Sequence, residues 1–169
     1  MDFVLKTADF AAAASEKTDA LIVLVPQEFK AVKPNGVLAE LIAQAQKAGD
    51  FEGKVGQLLS LYAVPGVAAR RLILLGVGAG AARQVGAALR AAQASFKDAP
   101  VRKLALVLDA LASVSDAMLQ AAVLALADAS YVYTHTKSKA QPRLLARVVL
   151  LNTAELSKRT LAQAQAQAL

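Results

Sequence analysis

Gly76, Gly78 and Gly80 alternate in Gly76-Val77-Gly78-Ala79-Gly80-Ala81, directly after an apolar run and before a stretch with helical spacing. In that setting glycine lets backbone N–H groups approach a phosphate at a helix N-terminus, and Gly76, Gly78 and Ala81 fit the loose G-x-G-x-x-A pattern of dinucleotide sites. The segment does not follow the first strand, where that pattern usually acts. No acidic partner for a ribose follows at the right place, since Asp98 falls near a helix end and Asp109 after the next strand. A tight strand-to-helix connection is therefore the preferred reading of these glycines, with a nucleotide-derived ligand such as ADP-ribose as the alternative.

The other candidates are single residues or pairs. Arg70-Arg71 and Arg143 with Arg147 stand beside strand starts, and the last two share a face if the segment is extended; a guanidinium there suits phosphate or carboxylate. These four form a candidate basic contact surface, read as facing solvent or another domain. His135 is the sole histidine and lies in Tyr131-Val132-Tyr133-Thr134-His135, read as a surface helix end with the tyrosines as anchors. Asp50, Glu52, Asp109, Asp116 and Asp128 occur singly in separate elements, so local spacing builds no metal site and no catalytic residue is assigned. With no cysteine in 169 residues, thiolate catalysis, disulfide frameworks and cysteine-ligated zinc are excluded.

The 19 Lys+Arg against 13 Asp+Glu give a net charge of +6, which at long range attracts polyanions such as DNA. The basic residues are scattered, however, and aromatics are only 5%. Solvation and complementarity to a partner surface are the preferred reading. No apolar run approaches the roughly 20 residues needed to cross a membrane. No leader pattern opens the sequence. A cytoplasmic chain is expected.

Positioning these residues calls for strands at 2–6, 20–25, 57–64, 71–77, 102–108 and 144–151. Helices are expected at 9–16, 36–48, 84–96, from 115 or 116 to about 129, and along the tail from 154. Runs such as Leu21-Ile22-Val23-Leu24-Val25 lack polar alternation, as strands covered on both faces do. Gly49 reads as a helix stop and Pro65-Gly66 as a turn. Alternating strands and helices point to an α/β/α sandwich.

Asp50-Phe51-Glu52-Gly53-Lys54-Val55-Gly56-Gln57, then Val64-Pro65-Gly66, then Arg70-Arg71-Leu72-Ile73-Leu74-Leu75-Gly76-Val77-Gly78, resemble in order and spacing the N-terminal domain of leucyl aminopeptidases. The resemblance continues through Tyr131-Val132-Tyr133, Thr136-Lys137 and Pro142-Arg143, and covers nearly the whole chain. It implies a macrodomain-like three-layer α/β/α sandwich with a mixed central sheet over 1–152. Residues 153–169 would then begin a linker helix towards a C-terminal catalytic domain. In the family that domain holds two divalent metal ions (zinc, manganese or magnesium) and removes N-terminal amino acids. None of its metal motifs has a counterpart in residues 1–169, so the segment is expected to be a noncatalytic assembly or regulatory domain. The resemblance also implies a homo-hexamer of the whole protein and, from some bacterial members, DNA as an alternative partner. Ala79-Gly80-Ala81-Ala82 departs from relatives that carry a polar residue after the glycine-rich strand end.

Overall fold

The computed structural model describes residues 2–27, 36–92, 101–108, 110–111, 114–129, 145–152 and 156–168. In chain order these form β1 (Asp2–Thr7), α1 (Phe10–Ala14), β2 (Ala20–Val25), α2 (Val37–Ala48), β3 (Leu58–Tyr62) and β4 (Arg71–Gly76). There follow α3 (Ala82–Ala91), β5 (Lys103–Val107), α4 (Asp116–Ala129), β6 (Arg147–Asn152) and α5 (Lys158–Ala168). The strands make one sheet in the order β1-β6-β5-β2-β4-β3. All neighbours are parallel except β3, which runs antiparallel to β4 and makes the sheet mixed.

The apolar runs follow from position in this sheet. Every residue of β2 is fully buried, because the strand lies between two other strands and under helices on both faces. Leu21, Val23 and Val25 pack with Leu38, Ile42 and Phe51 on the face covered by α1 and α2. Ile22 and Leu24 pack with Val85, Leu89, Leu119 and Val123 on the face covered by α3, α4 and α5. The expected three-layer α/β/α sandwich is thus present, with a core on each side of the sheet. Each fully buried leucine or isoleucine contributes roughly 1.5–3 kcal/mol, so the central strands dominate the stability.

Helix ends obey their caps. Asp9 Oδ1 accepts from Ala12 N at 2.8 Å, Ser115 Oγ from Met118 N at 3.2 Å and Ser157 Oγ from Thr160 N at 3.2 Å. Gly49 ends α2 in the left-handed conformation at φ 80°. α4 is apolar on more than one face because α3 flanks it on one side and α5 on the other, where Gln120 Nε2 donates to Gln167 Oε1 at 2.7 Å. Leu161 and Ala164 of α5 are buried in the same core, so the tail helix packs on the sandwich.

Boundaries differ from the expected ones for local reasons. α3 starts at Ala82 because Gln84 Oε1 reaches back to accept from Ala81 N at 3.1 Å; the expected end at Phe96 lies outside the described residues. β6 starts at Arg147, since Ala146 N and Arg147 N both donate to Arg102 O, at 2.8 and 3.0 Å, before the ladder begins.

Two carboxylates cross-link strands of the sheet. Asp19 Oδ2 accepts from Arg102 N at 2.9 Å and Lys103 N at 3.0 Å, while Asp19 N donates to Lys103 O at 3.0 Å, so β2 and β5 are joined just before they pair. Glu16 binds Lys6 Nζ at 2.7 Å and Lys103 Nζ at 3.5 Å, and the Lys6 hydrogen bond is the main cause that holds its carboxyl below the ordinary value. Asp19 is held below its ordinary 3.8 chiefly by the Lys103 N–H, with the Arg102 N–H and the charges of Arg70 and Arg102 adding to this against partial burial.

A folded-state pKa below the unfolded one means that Asp19 stabilises fully above pH 3.8, and that this is lost as pH falls through the folded value. Asp19→Ala should lower stability at neutral pH by about 1–2 kcal/mol, because two backbone N–H groups lose a charged acceptor. Asp19→Asn should show a shallower loss of stability than the unsubstituted chain between about pH 5 and pH 2. Urea unfolding at a series of pH values measures both, and parallel pH curves would exclude the charge of Asp19 as a contributor.

Candidate functional site

The segment from Asp50 to Gln57 closes over the C-terminal ends of β2 and β4. Phe51 is fully buried and anchors it in the core beneath α2. Gln57 N donates to Lys54 O at 2.9 Å, closing a turn whose third residue, Gly56, sits at φ 82°. Glycine takes that angle without strain. Gly56 N then donates to Gly76 O at 3.0 Å while Gly76 N donates to Gln57 O at 2.8 Å, so Gly56 and Gln57 together oppose Gly76 as a bulge. The Gln57 side chain folds back, and its Oε1 accepts from Glu52 N, Gly53 N and Lys54 N at 2.8, 3.0 and 3.4 Å. One amide oxygen thereby organises three consecutive N–H groups.

Close backbone contact explains the other glycines. A Cβ on Gly76 would overlap the carbonyl oxygen of Lys54 and lie 2.6 Å from Gly53 C; one on Gly53 would lie 2.9 Å from Gln27 Cα. Three layers of main chain are stacked here, and side chains do not fit between them.

The glycine loop after β4 is tied into the same clasp. Gly76 N donates to Gln57 O, Val77 N to Val25 O, Gly78 N to Gly53 O and Gly80 N to Val77 O, all within 2.8–3.0 Å. Ala81 N is taken by Gln84 Oε1, and Gly78 O accepts from Gln27 N at 2.8 Å. A phosphate cradle requires N–H groups that point outward and are free. At Gly76, Gly78 and Gly80 they are committed to the protein itself, and Gly78 at φ 60° and Gly80 at φ 80° serve the tight connection from strand to helix.

The arginines stand elsewhere. Arg71 opens β4, at the end of the strand opposite Gly76, about 16 Å away at the usual rise per residue. Its Nε donates to Ser60 Oγ at 3.0 Å and its guanidinium lies 5.4 Å from the centre of the Tyr62 ring. Arg147 opens β6 and pairs with Asp2 at 3.4 Å. Alternation along the strands puts Arg71 on the face of Ile73 and Leu75, and Arg147 on the face of Val149 and Leu151. The structure therefore does not bring Arg71 and Arg147 into one patch. Exposed Arg70 instead lies near Asp19. Arg143, His135 and Asp109 lie outside the described residues.

Several carboxylates are likewise committed. Glu16 is held by lysines, Asp2 by Arg147, Glu52 by Lys54 at 2.7 Å and Asp19 by backbone N–H groups. Among the described residues no three acidic or histidine side chains stand together to hold a metal ion. This donor set does not fit a pair of divalent cations.

The N-terminal domain of the cytosol aminopeptidase family matches residues 23–140, a span that runs from β2 through the clasp, the glycine loop and α4. The chain belongs to the cytosol aminopeptidase family. It is 49% identical over 150 residues to the probable cytosol aminopeptidase of Acidovorax sp. (strain JS42), covering 89% of this chain and 29% of that protein. To the probable cytosol aminopeptidase of Verminephrobacter eiseniae (strain EF01-2) it is 51% identical over 150 residues, covering 89% and 28%. The chain thus spans under a third of the length of these relatives. In fold it is similar to a tomato leucine aminopeptidase mutant, with TM-score 0.73 and 20% identity, covering 99% of this chain and 36% of that one. It is also similar to the bottromycin maturation enzyme BotP in complex with Mn, with TM-score 0.61 and 23% identity, covering 89% and 30%.

For this N-terminal domain the clasp is the feature that sequence reasoning left undivided. Residues 50–57 carried the family resemblance, but nothing in the residue types marks Gln57 as the acceptor for three N–H groups. Gly76→Ala should cost about 3 kcal/mol, the upper end for overpacking, because the atoms its Cβ would overlap are backbone of Gly53 and Lys54, which cannot yield like a side chain. Gln57→Leu should cost about 2 kcal/mol by stranding its N–H groups, whereas Gln57→Glu should retain stability at neutral pH, since a nest of N–H groups accepts an anion. Denaturant midpoints for the three variants test this, and equal loss in Gln57→Leu and Gln57→Glu would refute the acceptor role.

Proposed function

We propose that this chain is the noncatalytic assembly or regulatory N-terminal domain of a two-metal aminopeptidase that removes N-terminal amino acids from peptides. The observation that carries this reading is the family match over 23–140 in a chain spanning only 28–29% of its relatives, whose described acidic and histidine side chains form no group of three. The two divalent ions, whether zinc, manganese or magnesium, belong on this reading to a C-terminal catalytic domain, and water activation takes place there. The sandwich of residues 1–152 supplies surfaces that place the catalytic domains in a cytoplasmic homo-hexamer and limit the approach of folded substrates. Residues 153–169, with α5 docked on α4, form the start of the connection.

The excess positive charge serves complementarity to those neighbouring domains. A nucleic-acid backbone would need a continuous basic strip, and among the described residues Arg71 and Arg147 point to opposite faces of the sheet.

The 169-residue chain supplied with Zn²⁺, Mn²⁺ or Mg²⁺ should release no leucine from a leucyl peptide. Joined to the catalytic region of a close relative, it should restore assembly and substrate selectivity that the catalytic region alone lacks. Sedimentation and peptide-hydrolysis rates measure this, and equal rate, selectivity and assembly with and without the domain would remove the proposed role.

A further inference from the structure

The two edges of the sheet are treated differently. β1 carries Asp2 and Lys6, and Lys6 is tied down by Glu16, so charge guards that edge against further pairing. β3 reads Leu58-Leu59-Ser60-Leu61-Tyr62, with neither charge nor proline. Its ladder parity is set by the bonds Gly76 N to Gln57 O and Ala63 N to Arg70 O, so residues 57, 59, 61 and 63 bond inward to β4. Leu58, Ser60 and Tyr62 therefore turn their N–H and C=O groups outward, and no hydrogen bond of the described residues engages them. The large apolar side chains exposed among the described residues are Tyr62, 70% accessible at one end of β3, and Val55, 43% accessible in the turn at the other.

We propose that β3 is a self-association edge, through which a second copy of this chain adds its own β3 antiparallel about a twofold axis at Ser60. The strand is its own complement in that register. Leu58 meets Tyr62 of the second copy twice, Leu59 meets Leu61 twice, and Ser60 meets itself. The outward groups at 58, 60 and 62 then become the hydrogen-bonded pairs of a continuous sheet, and no charges on β3 oppose one another. Aliphatic–aromatic pairs across strands add to this. Arg71 stays one strand behind, over the Tyr62 ring, and does not enter the seam. The inference gives the assembly role proposed above a surface, and rests on that reading only in taking copies of the chain to meet.

The chain has no cysteine, so a single introduced thiol reports the register without interference. Directly opposed hydrogen-bonded residues have Cα atoms about 5.5 Å apart, within reach of a disulfide. Under mild oxidation Ser60→Cys should couple to itself at least about tenfold faster than Tyr62→Cys, whose opposite residue is Leu58. The unsubstituted chain should sediment as a monomer–dimer mixture that shifts with concentration, and Tyr62→Lys should weaken the dimer about tenfold. A monomer at every concentration from micromolar to millimolar, or equal coupling at positions 60 and 62, would overturn the inference. A dimer that Tyr62→Lys leaves unchanged would remove β3 from the interface while sparing the assembly role. Coupling at position 60 in a chain that has no effect on a joined catalytic region would keep the edge and remove the role.

Discussion

A strand buried on both faces can exist only if something covers each face, and β2 imposes that condition here. Six consecutive residues, Ala20–Val25, expose nothing. Their side chains alternate between two separate cores. Parallel neighbours require long crossovers, and those crossovers are the helices that do the covering. Three layers, a central apolar sheet and polar outer helix faces all follow from satisfying one strand.

The covering elements then need defined junctions where strands end, and the molecule builds these from main chain. At the C-terminal end of β4, Gly53 and Gly76 let backbone stack on backbone, and the Gln57 carbonyl gathers the N–H groups that the turn leaves over. Elsewhere Asp19 joins the starts of β2 and β5, and Glu16 links Lys103 at the start of β5 to Lys6 near the end of β1. One kind of junction is closed by neutral polar groups and shape, the other by carboxylates. The first should be insensitive to pH and the second should not. Neither arrangement leaves a cluster of three acids among the described residues.

Much of the fold was readable from residue order. Buried parallel strands announce themselves as apolar runs, so β2, β4 and β5 were found within a residue or two, and Gly49 marked its helix end because a left-handed residue suits glycine. The order of strands was not readable, since it depends on which faces meet at long range. That is why Arg71 and Arg147, both at strand starts, were grouped as one surface although the pleat turns them to opposite sides. The glycine loop was seen as a motif, yet the destination of its N–H groups depends on Val25 and Gly53, distant in sequence. Asp19 carried no signal in the sequence, because the N–H groups it binds at the start of β5 lie 83 and 84 residues away.

The pairing of β1 with β6 joins the two ends of the fold, with Asp2 opposite Arg147 and Thr7 opposite Asn152. Contacts spanning so much of the chain raise the contact order and slow folding, because a large loop must close before any of them forms. On the ribosome, β1 has no partner in the sheet until β6 emerges. The sheet is therefore completed at its β1 edge, whereas β3 at the other edge pairs with β4, its neighbour in sequence.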